Sequence, residues 1–246
     1  MHVPDGFLDL PTSVATGAVA AVGVGLALRG ARRELDDRAA PMAGLVATFV
    51  FAAQMLNFPV VGGTSGHLMG GALAAILAGP WTAVLVMAVV LIVQSLLFAD
   101  GGITALGTNI TLLGLVGVAV GWLVFRGLQA VLPRRLALVP GLAAVAAYVT
   151  VPVTAMAFVG LYAVGGQAPL PLDTLTAAMV GWHALIGVGE AVITGLVVGS
   201  VVAVRPDLVY GARRVLATRE LVITDAEVRT PGHPEPTPAP AEEAAS

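Results

Sequence analysis

The chain has 246 residues, 57% of them hydrophobic and only 11% charged, with a mean hydropathy of +0.92. Soluble domains carry roughly 25% charged residues, so water cannot cover this chain and it reads as a polytopic membrane protein. It has no Cys, which excludes disulfides and thiolate metal sites. It also has no Lys: all 12 basic residues are Arg, which excludes a Walker A loop and ATP hydrolysis by a P-loop.

The opening stretch from Met1 to Pro11 has no basic residue and carries Asp5 and Asp9, the reverse of a secretory n-region. Apolar runs then predict an all-α bundle of about seven transmembrane helices, over 12–29, 41–58, 67–80, 81–98, 108–126, 136–163 and 174–204. A span needs about 20 residues, so 67–80 is short, and six full spans remain if it is re-entrant. The last two runs are long enough to tilt or protrude. Arg29, Arg32, Arg33 and Arg38 follow the first helix, Arg126, Arg134 and Arg135 the fifth, and Arg205, Arg213, Arg214 and Arg219 the seventh. With seven spans all of these share one face, which the positive-inside rule makes cytoplasmic. The N-terminus and the loops 59–66, 100–107 and 165–173 then lie outside. Residues 1–222 form the membrane domain. Residues 223–246, rich in Pro, Glu and Ala, predict a disordered cytoplasmic tail in which His233 is inert. Rows of small residues (Gly17, Ala21 and Gly25; Gly117 and Gly121; Gly195 and Gly199) predict close packing within the bundle, and the first row is also a candidate docking face for a partner subunit.

The chemistry begins at the first two residues. Met1 and His2 offer an α-amine, an amide nitrogen once deprotonated, and the imidazole Nδ1. Together these close a five- and a six-membered chelate ring on one side of a plane. A histidine at position 3 would fill the square; one at position 2 leaves a place open, and His67 is the other histidine expected on that membrane face. Square-planar nitrogen ligation suits Ni(II) or Cu(II) and tolerates Co(II). It requires unprotonated donors, so capture weakens in acid. Pro4-Asp5-Gly6 is a turn signal, and Phe7 and Leu8 supply an apolar anchor, so the terminus reads as tucked in.

Pro59, Gly62, Gly63 and Gly66 forbid a continuous helix before His67. Irregular backbone near membrane depth belongs where it lines a cavity, and Asn57, Thr64 and Ser65 would supply polar atoms there. The Gly-rich loop 100–107 brings Asp100, which could accept an imidazole N–H and fix its tautomer, and Asn109 follows it. His183 and Glu190 stand two turns apart on one face of the last helix, where ionisable groups are rare and normally paired or functional.

Taken together, Met1-His-Val-Pro-Asp-Gly-Phe-Leu8, Asn57-Phe-Pro with Gly-Gly-Thr-Ser-Gly-His67, Leu97-Phe-Ala-Asp-Gly-Gly-Ile-Thr-Ala-Leu-Gly107 and Ile186-Gly-Val-Gly-Glu-Ala191 resemble the CbiM/NikM family. These are the substrate-binding membrane components of energy-coupling factor transporters for cobalt and nickel. The resemblance runs from residue 1 to about 205. It implies a seven-helix bundle with the N-terminus inserted, and a metal held by the Met1 amine, the His2 amide and imidazole, and His67. It implies Ni(II) or Co(II) as cargo and no organic cofactor, in the plasma membrane of a prokaryote, serving cobalamin biosynthesis or nickel enzymes. It also implies partners: a CbiQ/NikQ-like coupling protein, a CbiO/NikO-like ATPase and a small CbiN-, NikN- or NikL-like accessory protein. No nucleic acid is expected. The spelling around His67 and the lack of a leader lean toward nickel.

Two other functions compete. An intramembrane metalloprotease would need His-x-x-x-His on a helix with a Glu base, but Gly187 stands where the second histidine belongs. A stand-alone divalent-metal channel or secondary carrier predicts internal repeats, and the first half has no counterpart to His183 and Glu190.

Overall fold

The computed structural model describes residues 1–35, 39–60 and 64–217. Arg38, Gly62, Gly63, Arg219, His233 and the domain boundary at 222 lie outside the described residues.

Asp9 starts α1 (Leu10–Ala31): its Oδ1 accepts from Thr12 N at 2.8 Å, and Pro11 occupies the first turn, where no intrahelical N–H is needed. α2 (Ala39–Gln54) ends before Pro59, four residues short of the predicted limit. The chain then forms two short antiparallel strands, β1 (Phe58–Pro59) and β2 (Ser65–Gly66), with Pro59 opposite Ser65. α3 (Gly71–Ala78) is about 12 Å long and buried along its whole length. α4 (Pro80–Leu97) follows immediately. α5 (Leu106–Asn109) runs through a π-helical stretch, Ile110–Val116, into α6 (Gly117–Val131). α7 (Val139–Gly165) and α8 (Leu172–Val204) complete the bundle.

The helix expected over 67–80 is therefore shorter: residues 67–70 are non-helical and α3 begins only at Gly71. Gly70 takes a left-handed φ of 77°, and the Glu190 carboxylate occupies the N–H groups of Met69 and Gly70 at 2.6 and 2.8 Å. Among the described residues, five helical legs are long and apolar enough to cross a membrane: Leu10–Ala31, Pro80–Leu97, Leu106–Val131, Leu136–Gly165 and Leu172–Val204. α2 and α3 fall below that length.

The legs alternate between two ends. At one end the N-terminal residues meet the loops before α3, after α4 and after α7, through Gly102 N to Val3 O at 2.9 Å and a bridge between Leu8 and Gly166. At the other, Glu34 meets the start of α4, and Gln129 Nε2 donates to Gly211 O at 2.9 Å. All nine described arginines lie in the last two turns of helices that end here or in the segments beyond them.

Two of the three small-residue rows pack internally. A Cβ on Gly121 would meet Ala72, and Gly195 and Gly199 face Ala144 and Pro140. The α1 row departs from the packing expectation, because Gly17 and Gly25 face open space. α1 instead approaches α5 with Gly17 backbone against Gly107 and a Thr16–Thr108 hydroxyl contact of 2.7 Å.

Candidate metal centre

The first nine residues form a hook inside the bundle. Met1 and Val3 are fully buried and His2 is 3% exposed. Asn109 clamps Val3 on both sides, accepting from its N at 2.8 Å and donating to its O at 3.1 Å. Asp5, itself exposed, pins the turn from outside by accepting from Thr104 N at 2.7 Å and Thr104 Oγ1 at 2.5 Å. Phe7 packs on Phe158 and Tyr162, and its carbonyl accepts from Gln167 N. Positive φ at Gly6, 71°, closes the turn.

This hook carries the Met1 amine to His67 Nε2, to which it is hydrogen-bonded. The His2 and His67 rings stack, with centroids 4.3 Å apart. His67 Nδ1 lies 2.6 Å from Leu68 O; a carbonyl only accepts, so Nδ1 carries the proton and Nε2 keeps its lone pair. The His2 amide donates to Ser65 Oγ at 3.2 Å. His2 Nδ1 lies 3.0 Å from Asp100 Oδ1, poorly directed for a hydrogen bond, and His2 Nε2 has no partner. Chelation through Nδ1 therefore needs the His2 ring to turn away from Asp100, a motion the sequence does not suggest.

Burial holds the Met1 amine well below the ordinary α-amine value, against the pull of Asp100 and Glu190. Burial also lowers His67 well below the usual imidazole value, helped by the neighbouring amine and His2 ring. His2 is lowered for the same reason, with its contact to Asp100 opposing. Burial alone would raise Asp100, but the His2 ring, the amine and the Asn57 amide outweigh it and hold the carboxyl below its ordinary range. Burial thus favours the unprotonated form of each of these nitrogens.

The remaining candidate residues divide into near and far. Ser65 and Asp100 touch His2 directly. Asn57 is exposed and reaches the site only through Asp100, donating to its Oδ2 at 3.0 Å. Thr64 is buried, and its carbonyl closes the strand turn by accepting from Val60 N. His183 and Glu190 share a helix face but have separate partners: His183 Nδ1 binds its own helix at Met179 O, 2.8 Å away, while Glu190 fixes the backbone just after His67. Among the described residues, no three His, Cys, Asp or Glu side chains form a metal-ligating cluster. The gathered donors are instead two imidazoles, an amine and a backbone amide.

Gln94, at the head of the segment that leads to Asp100, is not among the site residues that the sequence assigns. It is fully buried beside His2 with both side-chain polar atoms unpartnered, and its carbonyl accepts from Asp100 N at 3.1 Å. Only the polarity of Gln94 within an apolar helix could have signalled it. A cleft of about 330 Å³ lined by His2, Pro4, Asp5, Ser65, Asp100 and Gly102 opens beside the site.

Two solved structures share this architecture. A truncated transition metal transporter matches with a TM-score of 0.76 at 30% identity, over 82% of this chain and 99% of its own. A further transition metal transporter gives 0.74 at 29%, over 93% and 100%. By sequence, a candidate metal transport protein of Haloquadratum walsbyi is 41% identical over 85% of this chain and 94% of its own. The fused nickel transport protein NikMN of Rhodobacter capsulatus is 35% identical over 87% and 65%. The cobalt transport protein CbiM of Sorangium cellulosum is 39% identical over 51% and 57%.

With its membrane-length legs, the molecule is a multi-helix membrane protein similar to transition-metal transport proteins. The particular family follows from residues 2–208, which match CbiM, described as the cobalt uptake substrate-specific transmembrane region; the chain belongs to that family.

Proposed function

We propose that this chain is the metal-capturing subunit of an ATP-driven importer, taking Ni(II) or Co(II) through the Met1 amine, the His2 amide and Nδ1, and His67 Nε2. The observation that carries this reading is the buried meeting of the Met1 amine with the His67 Nε2 lone pair under a stacked His2 ring. In a square of four nitrogens the amine and the fourth ligand are neighbours, as these two are. Each donor is already engaged: the amine with His67, the amide with Ser65, and Nδ1 beside Asp100. The incoming ion replaces those contacts, and Asp100 receives the turned ring.

The seven legs, counting α2 and α3, run with the N-terminus outside and the C-terminus cytoplasmic. The arginine-bearing end supports this orientation, and a prokaryotic plasma membrane is the setting. A coupling membrane protein and an ATPase supply the energy, since no Lys is present for a P-loop. Fused relatives such as NikMN suggest a small N-type component as a further partner, and the open Gly17–Gly25 row of α1 is the face offered to a partner helix.

Vesicle uptake tests the coupling. Vesicles carrying the chain alone should bind Ni(II) without accumulating it, and accumulation should require the partner subunits and ATP. Accumulation by the chain alone without ATP would favour a channel or carrier instead.

A further inference from the structure

Asp5 and Asp100 both line the cleft of about 330 Å³ that opens beside His2. Asp5 is exposed and Asp100 partly buried, and no arginine is among the lining residues. The two carboxylates come from distant parts of the chain, one from the N-terminal hook and one from the loop after α4.

That loop fixes their places. A Cβ on Gly101 would meet His2 Cβ at 3.5 Å, and one on Gly102 would strike the Asp5 carboxylate. Successive residues of one wall therefore touch His2 and Asp5. Gly102 N also donates to Val3 O at 2.9 Å, which ties the wall to the hook. Asp100 Oδ1 lies 3.0 Å from His2 Nδ1, so both carboxylates border the same ring.

Their hydrogen-bond donors are neutral. Asp5 accepts from Thr104 through Oδ1, and Asp100 accepts from Asn57 through Oδ2. Among the described residues Asp5 has no ion-pair partner. Between them the His2 ring, 3% exposed, has no hydrogen-bond partner at either nitrogen.

A cleft lined by charge of one sign concentrates ions of the other. This one also has room for an ion that keeps its water. A hexahydrated ion needs roughly 180 Å³, at about 30 Å³ per water, which is well inside the cleft. Carboxylate oxygens suit the hydrated ion, whereas the nitrogens suit the ion once stripped.

We propose that the cleft is an outer site, in which Asp5 and Asp100 hold the hydrated dication through its own water molecules before the nitrogen donors take it. The inference rests on the nitrogen site proposed above and adds its route of entry. Transfer exchanges bound water for the Met1, His2 and His67 nitrogens, and the released water leaves through the open cleft. The association rate is then the occupancy of the outer site multiplied by the ion's own rate of water loss. Charge at the cleft acts on association, and the nitrogens set dissociation.

Stopped-flow mixing of Ni(II) or Co(II) with the full chain in phosphatidylcholine nanodiscs measures both rates. Asp5→Asn keeps an Oδ1 acceptor for Thr104 and removes the charge. It should slow association by about ten-fold at low salt, the lower end of what a charged cleft supplies, and leave dissociation unchanged. The factor should be the same for both ions, and it should vanish at about 1 M salt, where the screening length is about 3 Å. Asp173→Asn removes the same charge from an exposed position at the same end, outside the cleft, and should change nothing. If Asp5→Asn does not fold, Ile103, which lines the cleft and is 58% exposed, carries the test: Ile103→Lys should slow association and Ile103→Glu should speed it. Mg(II), which gives up its water reluctantly, should occupy the outer site and slow Ni(II) association with the native protein at constant ionic strength. Unchanged association in Asp5→Asn, or in both Ile103 variants, would overturn the outer site. So would equal slowing by Asp173→Asn, or indifference to Mg(II), since a diffuse field would then account for the rate. Each of those results leaves the nitrogen site standing, whereas a native protein that binds no Ni(II) would remove both.

Discussion

Glu34 and Glu190 lie at opposite ends of the bundle and make the same pair of contacts. Both are buried, at 3% and 0% exposure. Glu34 accepts from Trp81 N at 3.2 Å and Thr82 N at 2.7 Å, at the start of α4. Glu190 accepts from Met69 N at 2.6 Å and Gly70 N at 2.8 Å, just ahead of α3. Each satisfies N–H groups that a helix start leaves unpaired, and each sits at the positive end of the dipole. Their neighbours differ. Glu34 shares a cleft with Arg29 and Arg33, and a Cβ on Gly79 would strike its carboxylate at 2.7 Å. Glu190 has no arginine at its end among the described residues; its field and that of Asp100 fall on the Met1 amine. The same capping device therefore holds the start of α4 beside two arginines at one end and the backbone next to His67 at the other.

The contrast is broken most easily at the histidines. His67→Ala should lower Ni(II) affinity by more than about 100-fold, because even outer partners of metal ligands are worth about 10–100-fold. His183→Ala should cost less than about ten-fold, since its Nδ1 is engaged with its own helix. His233→Ala should cost nothing. Calorimetric titration in detergent measures all three, and equal losses at His67 and His183 would place His183 among the ligands.

The pH dependence sharpens the same point. Burial lowers the amine and both imidazoles from their ordinary values and so favours their unprotonated forms around neutral pH. Only the His2 amide proton then leaves on binding, and affinity should rise by about ten-fold per pH unit. It should fall more steeply only in acid, below the ordinary imidazole range, once the lowered groups take up protons. A release of two or more protons around neutral pH would contradict this.

The two glutamates give the smallest effect and the closest comparison. Glu34→Gln and Glu190→Gln should each cost about 1–3 kcal/mol of stability, as a charge-assisted hydrogen bond is lost. Only Glu190→Gln should also weaken Ni(II) binding, by about ten-fold. An equal effect of both on metal affinity would dissolve the distinction between the two ends.

What could be read in the sequence was local. The Met1-His2 chelate, the glycines before His67 and the arginine placement are properties of adjacent residues or of spacing along apolar runs. The late start of α3 was not legible, because the acceptor that captures Met69 and Gly70 lies more than a hundred residues further on, in α8. Glu34 carries no local signal of its role, because only folding brings α4 against it. The His2 ring orientation, the unpartnered Gln94 amide and the π-helical stretch after Asn109 likewise depend on contacts between distant segments. The α1 glycines carried the same small-residue spacing as those of α6 and α8, so spacing alone could not tell an outward row from a packed one.

The most direct test is Ni(II) titration of the purified chain with its native start against one carrying two extra residues ahead of Met1. The extension keeps every side chain and converts the α-amine to an amide. The native protein should bind one equivalent, and the extended protein should lose that binding. Equal binding by both would show that the amine is not a ligand and would contradict the N-terminal chelate.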